Sequence, residues 1–218
     1  MAVRIKRHWY QDGRARSPEE QATVIAVAIW KSATHGLQGL RKANFSVDIG
    51  RPFIHVLAEF VVFLVTIADR VAYLHSLVPG EPGASSAEAW REAFTVALAK
   101  RLAEIYQENL DQLIGPAALS SDLSAQPYTS VFIELLNRRM AEYAEFEYSD
   151  HGPEFGFLRY FGTCIENALP DPADRRWVLD QVMASQAPEA IECVEQGMRG
   201  VLGLDPKAKR KREGVATD

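Results

Sequence analysis

The sequence predicts an all-α protein, a six- or seven-helix bundle with a buried central helix near 52–78 and essentially no β-sheet. Three observations predict it. The stretch Pro52 to Leu77, PFIHVLAEFVVFLVTIADRVAYLHSL, is apolar around most of a helical wheel. Helix starts and breaks recur along the chain, with Ser17-Pro18-Glu19-Glu20, Ser85 with Glu88, and Asp171-Pro172 as starts. Pro79-Gly80-Glu81-Pro82-Gly83, Gly115-Pro116 and Asp150-His151-Gly152-Pro153 are the breaks. No segment alternates convincingly at period 2 over more than four residues.

Taken in order, residues 1–16 have no helical period. Val3 and Ile5 alternate with Arg4 and Lys6, which suits a short extended, basic arm. Ser17 as N-cap, Pro18 at N1 and Glu20 at N3 form a capping box. The helix they start runs to about Lys42, and its apolar middle, Ala22 to Trp30, marks it as deeply buried. Gly36 and Gly39 weaken its later half or let another backbone approach. Asn44 to Arg51 is a loop, and Pro52 opens the central helix. The third helix runs from the Ser85 cap to Ile114, with Trp90, Phe94, Leu98, Leu102, Ile105 and Leu113 at helical spacing. Residues 117–126 are a loop.

A fourth helix is expected over Pro127 to Tyr148 and a fifth over Glu154 to Ala168. A sixth starts at Pro172, and Pro188 divides it from, or kinks it into, a seventh that ends near Leu204. Residues 17–206 read as one all-α domain, with the first four helices as its core and the last three packed across them. The first two helices look too apolar for a simple monomer, so a homodimer is expected.

The charge is unevenly placed. Residues 1–16 carry five basic and one acidic side chain, and 207–218 carry five and two. The body between them has 14 basic and 26 acidic residues, a formal −12, which argues against nucleic acid on the folded body. The basic tail, Lys207 to Arg212, is read as solvated and disordered; attachment to nucleic acid or an anionic membrane is its alternative role. Glu59 interrupts the best candidate for a membrane span, and no apolar run follows the basic N-terminus as a secretion signal requires. Cys164 and Cys193 do not make a disulfide scaffold, so reduced thiols and a cytoplasmic location are expected.

The polar residues of the central helix do not scatter. His55, Glu59, Thr66, Asp69, Arg70 and Tyr73 all fall within an arc of roughly 100°. This seam has three readings, in descending order of weight: a narrow solvent-facing strip, a buried hydrogen-bonded network with Arg70, or a ligand or metal site. For the third, His55 and Glu59 lie four apart, and Glu104, Glu108, Glu142, Glu145, Glu147 and His151 are candidate partners. No Glu has a His three residues on, so the paired signature of di-iron carboxylate bundles is absent. No metal or other cofactor is therefore expected.

Seven of the 19 residues from Tyr143 to Phe161 are aromatic, interleaved with acids. Rings filling a helix corner is the favoured reading, and a surface for a cationic ligand or basic peptide the other. There is no Gly-rich phosphate loop, CxxC, G-x-S-x-G or HExxH, and no helix-turn-helix with a basic recognition helix. Arg138-Arg139 and Arg175-Arg176 are read as solvated. The expected function is binding, to a protein partner or to itself. The alternative is a metal- or small-ligand-binding bundle, or an enzyme, using the seam of the central helix.

Overall fold

The computed structural model describes residues 16–47, 50–76, 84–118, 128–170 and 172–204. The extended arm, the Pro79–Gly83 break, residues 119–126 of the expected 117–126 loop and the basic tail lie outside them. The described chain is all-α: α1 (Pro18–Lys42), α2 (Arg51–Ser76), α3 (Ala84–Ala118), α4 (Tyr128–Tyr143), α5 (Phe155–Ala168), α6 (Pro172–Gln181) and α7 (Ala187–Val201). Its one ladder is a two-residue antiparallel pair, β1 (Tyr148–Ser149) with β2 (Gly152–Pro153).

Local sequence sets several of these ends. Ser17 accepts a hydrogen bond from the Glu20 N–H, and the Glu20 carboxylate accepts one from the Ser17 N–H, closing the expected capping box. Gly152, the first residue of β2, takes φ +91° where the chain leaves the turn from β1, a conformation that favours glycine. Three ends differ from expectation. α3 continues through Gly115-Pro116 to Ala118, because a proline in a last turn removes one hydrogen bond without ending the helix at once. Ser85 accordingly falls inside α3, whose first residue is Ala84. α4 stops at Tyr143, five residues before the expected end, and turns there into the β1–β2 ladder.

Of the two expectations for Pro188, a division is not seen; the proline sits in the first turn of α7. α6 and α7 are joined by a π-helical turn, Val182–Gln186, in which the Ala187 N–H reaches back five residues to the Val182 carbonyl. The proline has no N–H to give the Ala184 carbonyl, and the widened turn absorbs that loss without a break.

α2 is the axis of the packing, in contact with α1, α3, α4, α5 and α7. The core is therefore not the first four helices alone, since α5 and α7 also wall α2. By length and composition α2 would cross a membrane, but 89% of that apolar stretch is buried by the chain's own helices. α1 buries Ala22, Ile25, Ala26, Ala28, Ile29, Ala33, Leu37 and Leu40 in the same way. The apolar surface that suggested a dimer through the first two helices is thus largely covered within one chain.

An aromatic cluster locks α5 to α2. Phe63 stacks on Phe161 at 3.9 Å between ring centroids, and Phe157 stacks on Tyr143 at 4.7 Å. Of the aromatics in 143–161, Tyr143, Phe157 and Phe161 are fully buried and fill the corner between α4 and α5, whereas Phe155 is exposed. Cys164 is buried, Cys193 half-buried, and both are free thiols.

Candidate functional site

The polar seam of α2 faces the crevice between α3 and α4, and it is not a solvent-facing strip. Glu59, Thr66 and Asp69 are all buried, although the wheel weighted the seam toward water. The missing ingredient is arginine from neighbouring helices. Arg139 of α4 grips Glu59 by both its Nε, 2.9 Å from Oε2, and its Nη2, 2.6 Å from Oε1. Arg91 of α3 grips Asp69 likewise, Nε to Oδ1 at 3.0 Å and Nη2 to Oδ2 at 2.7 Å. Thr95 adds a hydroxyl donor to Asp69 at 2.8 Å. Such paired, parallel donors fix geometry as well as charge.

The rest of the seam divides. Thr66 donates back to the Val62 carbonyl of its own helix. Arg70 does not pair with Glu59 or Asp69 as one reading expected. Its Nη2 donates instead to the carbonyl of Tyr143, the last residue of α4, at 3.1 Å, satisfying a helix-end acceptor. His55 and Tyr73, near the two ends, are exposed, and the Arg91 guanidinium lies 5.0 Å from the Tyr73 ring centroid.

Around Arg139 the network extends to α5. Its Nη1 donates to Glu142 and to the Tyr160 hydroxyl, each at 2.8 Å, and that hydroxyl donates to Glu142 at 2.6 Å. Burial opposes the charge on Arg139, yet its hydrogen bonds to Glu59 and Glu142 outweigh this and raise its pKa. Burial likewise opposes the Glu142 charge, and the Tyr160 and Arg139 donors overcome it, so that carboxyl stays below its ordinary value. Cys164 sits at the edge of this cluster. Burial, then the Glu59 charge, pushes its thiol up to about 12. Tyr143 is raised by burial first, then by Cys164 and the Glu59 charge, and its buried hydroxyl has no hydrogen-bond partner among the described residues.

Of the proposed acidic partners, only Glu142 joins the seam network. Glu104 and Glu108 pair with Arg101 on the outer face of α3, and Glu145, Glu147 and His151 are exposed. Among the described residues no three His, Cys, Asp or Glu side chains gather to hold a metal ion. Reading Arg139 as solvated was wrong, and spacing could have shown it. Phe132, Leu136, Arg139 and Tyr143 recur at four, three and four residues, one inward stripe of α4. Arg91, Thr95, Leu98 and Leu102 repeat the pattern on α3.

A second feature lies on the outside, between α5 and α6. Phe155, Arg159, Leu179, Asp180, Met183 and Ala184 line an open groove of about 510 Å³. Gly162 lets α6 close onto α5, because a Cβ there would stand 3.1 Å from Leu179 Cγ. Phe155 at one end of the groove is 67% exposed, and Trp177, on the same helix stripe as Asp180 and Ala184, is 58% exposed. Arg159 and Asp180 are exposed, and no ion pair engages either among the described residues. Periodicity did not single out these residues, because an exposed ring on a helix is visible only once its neighbours are placed.

Comparison with protein-family models, with curated proteins and with solved structures finds no match.

Proposed function

We propose that this chain is a cytoplasmic, non-enzymatic binding protein that engages a protein partner through the α5–α6 groove. The supporting observation is the strongly exposed Phe155 ring beside the apolar walls of Leu179, Met183 and Ala184, with a second exposed ring, Trp177, on α6. Single exposed apolar residues are ordinary, but a large exposed ring at an apolar groove is the composition of a protein contact. Aromatic anchors of this kind carry most of the energy in such interfaces.

The polar seam supports the alternative, a ligand-binding bundle or enzyme, less well. The oxygens of Glu59 and Asp69 are already engaged by Arg139, Arg91 and Thr95. Displacing an arginine from a buried carboxylate to admit a ligand would leave an uncompensated charge. The seam is better read as the set of ties that hold α3 and α4 to α2.

A photoreactive phenylalanine analogue placed at Phe155, in the full chain in cells, tests the groove. The expected result is a discrete covalent adduct to protein from position 155 and none from Glu104 on the outer face of α3. Equal labelling at both positions, or none at either, overturns the reading.

A further inference from the structure

We propose that the occupant of the groove is a second copy of this chain, paired about a two-fold axis running along and between α5 and α6. This rests on the groove-binding reading above and names the partner. α5 and α6 are consecutive, joined by residues 169–171 and packed side by side, so they run antiparallel. Leu179 lies against Gly162, which puts Asp180 about level with residue 161. Arg159 is then two residues away along the axis, or about 3 Å at the helical rise.

A two-fold axis parallel to the helices leaves these levels unchanged while laying α5 of each copy over α6 of the other. Arg159 of one copy comes opposite Asp180 of the second, within the reach of a guanidinium. Symmetry makes the same pair a second time. The exposed Phe155 at the groove and the exposed Trp177 of α6 are then covered by the facing helices. An axis laid across the helices at the level of Arg159 would instead set α5 on α5 and bring like charges together. The parallel axis pairs Arg159 with Asp180 twice, so the surface carries both halves of its own complement.

Two helix faces make a contact at the small end of stable interfaces, so a dissociation constant on the order of 1–100 µM is expected. Sedimentation equilibrium of the full chain over that range tests it, with variants R159D and D180R. Both positions are exposed, and circular dichroism should show unchanged helix content. The wild type should dimerise, and each variant should weaken the dimer by about tenfold or more through like-charge contacts. An equimolar mixture of the two variants should regain it, because that heterodimer faces opposite charges at both pairs. A wild-type chain that stays monomeric, a dimer indifferent to both reversals, or a mixture that does not regain association overturns the proposal. If the chain is monomeric and position 155 crosslinks to a protein of another mass, the groove stands and the second copy falls. If it is monomeric and position 155 gives no adduct, both fall.

Discussion

The Phe60 ring lies against Gly36, so close that a Cβ on Gly36 would stand 2.5 Å from Phe60 Cε1 and 2.9 Å from Cζ. This contact lets α1 approach α2 where both are most deeply buried. Phe60 is fully enclosed and also meets Phe161 edge-on at 5.0 Å, so it has nowhere to retreat. Gly36→Ala would gain helix propensity of about 1 kcal/mol and meet an overpacking cost of about 1–3 kcal/mol. The expected result is a net loss of stability by urea denaturation. Gly36→Ala as stable as the wild type, or more so, would show that the ring moves aside freely.

Leu64, on the turn of α2 that follows Phe60, is also fully buried. Truncating it leaves a cavity walled by helices that cannot all close in. Leu64→Ala should cost about 2–5 kcal/mol, the range for large-to-small changes in a packed core. A cost below about 1 kcal/mol would remove α2 from the centre of the fold.

The buried thiol of Cys164 makes an alkaline signature. Its pKa rises to about 12 in the folded chain from an ordinary value of 9.0. The folded state therefore holds this proton where the unfolded state has released it. Stability is full below about pH 9 and falls as pH rises toward 12, by about 1.4 kcal/mol per pH unit for one proton. Tyr143 and Tyr160, also raised chiefly by burial, add to the decline from about pH 10 upward. Urea denaturation between pH 9 and 10 should show a shallower decline for Cys164→Ala than for the wild type. Identical slopes would mean the thiol is solvated.

How much of this was legible in the sequence follows from which forces act locally. The start of α1 was readable because Ser17 and Glu20 satisfy each other within one turn. The centrality of α2 was readable because its apolar arc is too wide for anything but burial. The end of α4 was not, since Tyr143 is held by Phe157 and by Arg70, contacts made with distant parts of the chain. The seam was half legible. The wheel gathered Glu59 and Asp69 on one arc, but whether that arc met water or arginine depended on the placement of α3 and α4. The groove was least legible, because it is a relation between two helices and not a pattern within either.

The buried carboxylates of α2 act as ties closed by arginine, and a double-mutant cycle on Glu59 of α2 and Arg139 of α4 tests this most directly. Arg139→Ala alone leaves Glu59 buried and unpaired and should cost about 3–5 kcal/mol. Glu59→Ala in that background should cost little more, giving a coupling energy of about 2–3 kcal/mol by urea denaturation. Additive losses, with a coupling below about 0.5 kcal/mol, would contradict the claim and leave Glu59 available for a ligand.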